Sequence, residues 1–150
     1  MSKIPSKPDS EYPWYLKLFF INQKRKYGTV LEPAKVWARS PNLFLGVASM
    51  YGALDRKKSP IDPELRALIT VRVSQINWCE FCVDINSSTV LKRGGSDARL
   101  EDLAKFKESD HFTEKEKASL EYAEAMTYSD RKVTEELFKK LKAHYNDDEI

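Results

Sequence analysis

The segment from Thr70 to Gly95 constrains the fold more than any other part of the 150-residue chain. An apolar pattern of helical period precedes Cys79 and Cys82, and a second helical segment follows them and stops at Gly94-Gly95. Both cysteines of the chain therefore lie where one predicted helix ends and the next begins. The amino end of a helix carries unpaired N–H groups and the positive end of the dipole, which stabilise a thiolate and lower a cysteine pKa. We predict that this junction is the chemical centre of the molecule.

A strong helix start precedes the junction. Asp62 supplies a capping carboxylate, Pro63 suits the first helical position, and Glu64 places an acid in the first turn. Arg72 interrupts the apolar stripe of this helix. Because an isolated buried charge is costly, Arg72 is expected to reach solvent, to form a structural ion pair with a carboxylate, or to serve the thiol site. The stripe that it interrupts is Leu65, Leu68, Ile69, Val73 and Ile76.

Helix signals continue along the whole chain, without a sustained strand pattern, an internal repeat or a low-complexity linker. The prediction is an all-α fold in which residues 1–150 form a single domain with a loose N-terminal arm at 1–9. Gly46 and Gly52 are expected to allow close approach of neighbouring helices. Further helices are predicted over 11–27, 33–39, from Ser40-Pro41 onward, over 80–93 and 96–106, and from Thr113 and Thr134 onward. Predicted core residues near the N-terminus are Trp14, Leu18, Ile21, Leu43, Phe44, Val47 and Met50.

Charge and hydropathy exclude several classes of function. The formal net charge of +2 is too small to indicate a nucleic-acid-binding surface, and the short basic clusters at 24–26 and 56–58 are interpreted as solvated helix ends. The longest apolar run, around Trp14 to Ile21, is interrupted by Lys17 and is too short to cross a bilayer. The first ten residues lack the apolar core of a signal peptide. We therefore expect a cytoplasmic protein with no membrane or nucleic-acid partner.

The spacing of Cys79 and Cys82 is compatible with three kinds of site. In a redox site, one thiolate attacks an oxidant or disulfide and the other resolves the product. A zinc site needs about four ligands, and His111 and His144 lie far away without finger-like spacing, so no metal is expected. In a purely structural role, the cysteines are small buried hydrophobic residues.

The stretch LRALITVRVSQINWCEFCVDINSS, residues 65–88, resembles the signature of the carboxymuconolactone decarboxylase and alkylhydroperoxidase D superfamily, especially its peroxidase-related branch. The segment at 112–127 is also similar to that branch. The resemblance covers about three quarters of the chain, and the cysteine-bearing stretch is its specific part. The matching positions are Leu65, Arg66, Arg72, Asn77, Cys79, Cys82 and Asp84.

The resemblance implies a fold of about six to eight packed helices that assembles into homotrimers or homohexamers. It also implies reduction of a hydroperoxide or disulfide substrate, without a cofactor, by a cysteine pair that an external thiol reductant renews. In such a mechanism Cys82 attacks the peroxide, and Cys79 resolves the sulfenic acid as a disulfide.

Three departures from the family pattern bear on this activity. The family's relay glutamate falls at Ala67 and its relay histidine at Asn86, and neither of these side chains can act as a general base. The glycine before the first cysteine is Trp78. We therefore expect weak peroxidase activity, with Arg72 and Asn86 as supporting positions. The alternatives are a non-catalytic, oligomeric redox-sensing or binding relative, and a carboxymuconolactone-decarboxylase-like enzyme, for which no lactone-binding groups are identified.

Overall fold

The computed structural model describes residues 4–56 and 58–150, which contain eight α-helices and two short 3-10 helices. These ranges contain no strand, so the prediction of an all-α fold is confirmed. None of the helices described is both long and apolar enough to span a bilayer. The helices are α1 (Trp14–Tyr27), α2 (Glu32–Trp37), α3 (Pro41–Leu54), α4 (Pro63–Ile76), α5 (Glu80–Lys92), α6 (Asp97–Asp102), α7 (Glu114–Thr127) and α8 (Glu135–Lys142), with 3-10 helices at Asp9–Glu11 and Leu103–Lys105.

The chain divides into two compact units, Met1–Arg56 and Lys57–Ile150. The first unit holds α1 to α3 and the second holds α4 to α8, including both cysteines. The prediction that residues 1–150 form one domain stays a prediction. Residues 1–3 of the predicted arm lie outside the described residues. Within the rest of the arm, the carbonyl of Pro5 accepts a hydrogen bond from Arg39 Nη1 at 2.6 Å, and the Lys7 N–H donates to the Tyr12 hydroxyl at 3.1 Å.

The core of the first unit lies on a different face of α1 from the one predicted. Trp14 is 72% exposed, and Leu18 and Ile21 are also exposed, so the predicted stripe is wrong. The buried residues Leu16 and Phe20 are four residues apart and therefore share one side of α1, and the buried Tyr12 precedes the helix. Because α1 has apolar residues on both faces, periodicity did not distinguish the buried one. The buried cluster comprises Tyr12, Leu16, Phe20, Ala34, Ala38 and Phe44.

Two predictions about α3 are also wrong. Of its predicted core residues, Phe44 is buried, whereas Leu43 and Met50 are exposed. A Cβ atom added at Gly46 or Gly52 would meet nothing within 4 Å, so neither glycine serves a close approach.

In the second unit, α4 is the central helix and packs against α5 and α7. Leu65 and Leu68 are buried as predicted, whereas Ile69, Val73 and Ile76 are only partly covered. The buried face of α4 is completed by smaller residues at 67, 71 and 74, which let the neighbouring helices approach closely. The main cluster comprises Ala67, Leu68, Val71, Val90, Leu103, Phe106, Phe112 and Leu120, and a second comprises Leu65, Ala118, Leu141 and Tyr145.

The predicted capping residues determine where these helices begin and end. Asp62 Oδ1 accepts hydrogen bonds from the N–H groups of Glu64 at 2.8 Å and Leu65 at 3.1 Å. Thr113 and Glu116 form the predicted capping box at the start of α7. Gly94 ends α5 with a left-handed φ of 99°. The N-terminal boundaries in this unit are therefore encoded locally.

The predicted helix over 96–106 is shorter than expected. Ser96 caps α6, which ends at Asp102 and gives way to the 3-10 helix Leu103–Lys105. Side chains three residues apart eclipse in a 3-10 helix, so the tighter winding aligns Leu103 with Phe106, which follows the helix. Both side chains are almost completely buried in the main cluster. The change from α to 3-10 winding therefore lets Leu103 and Phe106 both pack into the main cluster.

Arg99 of α6 ties three helices together. Its guanidinium pairs with Glu64 of α4 and Glu116 of α7 and lies 5.1 Å from the centre of the Phe112 ring. Burial acts to raise the pKa of Glu116, but hydrogen bonds from Thr113 and Arg99 outweigh it and hold that pKa below its usual value. Glu116 therefore remains ionised, as the ion pair requires.

Gly95 provides a direct test of packing between α4 and α5. A Cβ atom at this position would overlap Val90 Cγ1 and would lie 3.1 Å from the Val90 carbonyl oxygen and 2.9 Å from Glu64 Oε1. Gly95→Ala should therefore lower the free energy of unfolding by about 2 kcal/mol, measured by urea denaturation. The control Gly46→Ala, in the open middle of α3, should instead raise it by about 0.5–1 kcal/mol. Equal stability of Gly95→Ala and the wild type would contradict this packing.

Candidate active site

Cys79 and Cys82 form a disulfide at the start of α5, with their Cα atoms 5.2 Å apart. Cys79 is the N-cap residue and Cys82 lies in the first turn, so the pair occupies the predicted junction of two helices. The Cys79 N–H donates to the Ser74 carbonyl at 3.0 Å, and the Cys79 carbonyl accepts from the Val83 N–H at 2.9 Å. These two bonds join the end of α4 to the beginning of α5 through Cys79. Both cysteines are partly exposed, so a reagent in solvent has access to them.

The start of α5 contributes a favourable electrostatic interaction to a thiolate of the pair. The Cys79 side chain makes no capping hydrogen bond within the described part of the chain, because its sulfur is bonded to Cys82. The first N–H groups of α5 therefore receive no capping hydrogen bond from the Cys79 side chain. On reduction, a thiolate at this end gains the favourable dipole and N–H interactions of the helix.

Trp78 makes the turn between α4 and α5 in an unusual backbone conformation. Its φ is 54°, the only positive value at a non-glycine residue among those described, and its N–H donates to the Gln75 carbonyl at 3.2 Å. Left-handed backbone is costly for a residue with a Cβ atom but not for glycine, the residue that the resembling family pattern has at this position. The Trp78 side chain is 91% exposed, so it points into solvent beside the disulfide rather than into the core.

The strain at Trp78 leads to a stability prediction. Trp78→Gly should raise the free energy of unfolding of the oxidised protein by about 1 kcal/mol, because glycine adopts the left-handed conformation freely. Trp78→Ala removes the same exposed ring but keeps the Cβ atom, so it should give no such gain. Urea denaturation of both variants separates the backbone from the side chain. A gain of the same size in both would show that the ring, not the backbone, is the destabilising element.

The two positions of the missing relay are occupied by residues with other roles. Ala67 is 3% exposed and belongs to the main core cluster. The Asn86 side chain donates through Nδ2 to the Cys82 carbonyl at 2.7 Å, so it binds the backbone of α5 one turn below the disulfide. Neither residue offers a proton acceptor to a cysteine sulfur. Asn86 therefore contacts Cys82 at its backbone carbonyl and not at its sulfur.

Arg72 takes part in a buried ion pair. Its Nε donates to Glu124 Oε1 at 2.7 Å, its Nη1 donates to Gln75 Oε1 at 3.0 Å, and Arg131 Nη1 reaches Glu124 Oε2 at 3.1 Å. Glu124 is 5% exposed and lies on the core side of α7, four residues after the buried Leu120. The structural role foreseen for Arg72 is therefore present. Gln75 connects this group to the turn that carries Trp78.

Glu124 is the charged residue that the sequence analysis missed. The sequence does contain a signal for Glu124, because an acid on the apolar face of α7 is the natural partner for an arginine on the apolar face of α4.

His111, one of the two histidines weighed as metal ligands, instead pairs with Asp102, with Nδ1 and Oδ2 3.0 Å apart. Asp102 also accepts a hydrogen bond from the Ser109 hydroxyl at 2.7 Å. This hydrogen bond, together with the smaller effect of the neighbouring His111, outweighs burial and holds the pKa of Asp102 below its usual value. No metal-binding group of three His, Cys, Asp or Glu residues occurs within 4–56 and 58–150.

With this fold and this cysteine pair, the chain belongs to the carboxymuconolactone decarboxylase family, whose model matches residues 41–125. Among known relatives, it is 40% identical over 139 residues to the uncharacterized protein YnjA of Escherichia coli strain K12, covering 93% of this chain and 76% of YnjA. It is 36% identical over 94 residues to the uncharacterized protein YdfG of Bacillus subtilis strain 168, covering 62% of this chain and 64% of YdfG.

Solved structures support the same fold. A peroxidase-related protein from Ralstonia eutropha JMP134 with an alkylhydroperoxidase D core has a TM-score of 0.85 at 21% identity, over 99% of this chain and 78% of that chain. The debrominase Bmp8, in complex with 2,3,4-tribromopyrrole, has a TM-score of 0.82 at 20% identity, also over 99% and 78%. At these identities the likeness establishes the fold alone. The prediction of an alkylhydroperoxidase D-like helical fold is confirmed.

Proposed function

We propose that this protein is a thiol-dependent oxidoreductase of the peroxidase type that works through Cys79 and Cys82. The observation that carries the proposal is the disulfide at the start of α5, where both cysteine residues are partly exposed and the helix favours a thiolate. Family membership supports a peroxidase-related class. Two cysteines in one helical turn can cycle between dithiol and disulfide without moving apart.

The proposed cycle has three steps. The Cys82 thiolate attacks the terminal oxygen of a hydroperoxide, which breaks the O–O bond, forms Cys82–SOH and, after taking up a proton, releases an alcohol. The Cys79 thiol then condenses with Cys82–SOH to give the disulfide and water. Two equivalents of an external thiol return the pair to the dithiol by exchange and leave as their own disulfide.

The residues around the disulfide favour a slow reaction of the thiols with peroxide. Because Ala67 is buried and Asn86 binds a carbonyl, no relay base removes the proton from either thiol. The start of α5 is left as the main source of thiolate stabilisation, which amounts to a modest pKa shift rather than a dedicated base. Arg72 contributes by holding the end of α4 through Gln75, as a positioning residue.

A homotrimer or homohexamer in the cytoplasm remains part of this proposal. Several large apolar side chains are exposed in the second unit, including Phe81, Leu91 and Met126, and a partner subunit would cover such surface. Light scattering of the purified protein measures the subunit number. A monomer at micromolar concentration would contradict the oligomeric proposal.

A second candidate function is redox sensing or binding without turnover. The specific observation in its favour is that both relay positions are occupied by residues committed to the core or to the backbone, Ala67 and Asn86. In that case the disulfide would form once and change ligand affinity or assembly.

Peroxide consumption in the presence of excess dithiothreitol distinguishes the two candidates. The proposed oxidoreductase consumes many equivalents of cumene hydroperoxide per protein, at a rate proportional to protein concentration. A protein that consumes one equivalent and stops is a sensor, and the proposed catalytic function would then be wrong.

A further inference from the structure

The surface beside the disulfide carries negative charge and exposed aromatic rings. Glu80 follows Cys79 directly, and Asp84 follows Cys82 by two residues; both side chains are exposed. They are four residues apart on α5 and therefore neighbours on its surface. Trp78 immediately precedes the pair and Phe81 lies within it, with exposed fractions of 91% and 41%. No part of the proposed cycle uses these four side chains.

The two acids dominate the local charge of this segment. Between Arg72 and Lys92 they are the only charged residues of the chain. Lys92 lies ten residues beyond Cys82, roughly 15 Å along the helix. Arg72 and Arg131 share Glu124, so that group keeps a net charge of +1, which is smaller than the charge of −2 on Glu80 and Asp84. Successive Cα atoms are about 3.8 Å apart, so both carboxylates lie well within the ~30 Å Debye length at 10 mM ionic strength.

The aromatic rings favour the same kind of ligand as the acids. The face of a tryptophan ring attracts a cation, and Trp78 presents its ring to solvent beside the disulfide. We infer that the Cys79–Cys82 site selects thiols that carry a positive charge, such as aminothiols, and discriminates against anionic thiols. This inference rests on the proposed function and adds the chemical class of the reductant. Its physical basis is that an incoming thiolate is itself negative, so an ammonium group on the same molecule offsets the repulsion from Glu80 and Asp84.

The chemistry is thiol–disulfide exchange. A thiolate attacks one sulfur of the disulfide, forms a mixed disulfide with it and displaces the other sulfur, which takes up a proton as a thiol. A second molecule of the same thiol attacks the mixed disulfide and leaves as the symmetrical small-molecule disulfide. The protein gains two electrons and two protons, and two thiols supply them.

Three thiols of nearly equal size test the inference: cysteamine, 2-mercaptoethanol and 3-mercaptopropionate, with terminal charges of +1, 0 and −1. The rate of reduction of the oxidised protein is divided by the thiolate concentration at the working pH. Cysteamine should exceed 3-mercaptopropionate by about tenfold at 10 mM ionic strength and by about threefold at 0.15 M. Equal corrected rates at both ionic strengths would overturn the inference.

Comparing the cysteamine preference between protein variants cancels differences in intrinsic reactivity among the three thiols. The double variant Glu80→Gln/Asp84→Asn should reduce the cysteamine preference to less than about twofold, while the control Glu135→Gln/Glu136→Gln, with the same change in net charge on α8, should retain it. Trp78→Ala should reduce the preference about twofold by removing the cation–π contribution. A preference unchanged in Glu80→Gln/Asp84→Asn would overturn the assignment to these acids.

The experiment distinguishes failure of the charge selection from failure of the proposed peroxidase function. Equal reduction by all three thiols, with peroxide turnover intact, rejects the charge selection and leaves the peroxidase proposal standing. A disulfide that no thiol in the series reduces rejects both.

Discussion

Cys82→Ser should abolish peroxide turnover, whereas Cys79→Ser should accumulate a mixed disulfide between Cys82 and the reducing thiol. The difference follows from the proposed roles, because a serine hydroxyl at 82 cannot attack the peroxide, while without Cys79 the sulfenic acid at Cys82 condenses with an external thiol. Cumene hydroperoxide consumption measures the first effect, which should be the loss of all protein-dependent turnover. Mass spectrometry of the protein after one equivalent each of peroxide and thiol detects the second.

The two cysteine variants serve as controls for each other. Each loses the disulfide, so any loss of stability from the missing cross-link is shared. Full activity in either variant would show that the two-cysteine mechanism is wrong. A mixed disulfide found only in Cys82→Ser would reverse the roles of the two residues.

Glu124→Gln should lower the free energy of unfolding by about 3 kcal/mol. Glutamine keeps the shape of the side chain but removes the charge, which leaves the partly buried Arg72 without its counter-ion. Arg131, which is about half exposed, loses the same partner but can be solvated. Urea denaturation with a constant m value measures the change.

Glu121→Gln is the matched control for Glu124→Gln. Glu121 is on the same helix and pairs with Lys107 at 3.1 Å and Lys140 at 4.0 Å, but its side chain is 32% exposed and those of the two lysines are at least half exposed. An exposed ion pair contributes about 0.2–1 kcal/mol, so this variant should be nearly as stable as the wild type. Equal losses in the two glutamine variants would contradict the special position of Glu124.

The parts of the fold that follow from local chemistry were predictable from the sequence. Asp62, Thr113 and Thr134 each cap the helix predicted for them, because an N-cap needs only a side-chain oxygen and the next few N–H groups. Which face of α1 is buried was not predictable in the same way. Trp14 and Leu16 are both apolar, and the choice between their faces depends on Tyr12, Ala34 and Phe44 packing against one side.

The candidate site also has some features that local sequence patterns predict and others that they do not. The position of Cys79 and Cys82 at the start of a helix followed from the flanking patterns, and the structure places them there. The left-handed backbone of Trp78 was not predictable from its residue type, because tryptophan rarely adopts it. The Arg72–Glu124 pair joins residues 52 positions apart, so sequence indicated that Arg72 needed a partner but not which acid supplied it.

The most direct test of the redox role is the pKa of the Cys82 thiol, from the pH dependence of alkylation in reduced Cys79→Ser, with Cys82→Ser reporting on Cys79. We expect a value for Cys82 below the ~8.5 of an unperturbed cysteine, because the start of α5 stabilises the thiolate more than Glu80 and Asp84 destabilise it, without help from Ala67 or Asn86. Values at or above ~8.5 for both thiols would show that loss of the relay left the pair unactivated, and would contradict the catalytic role proposed for it.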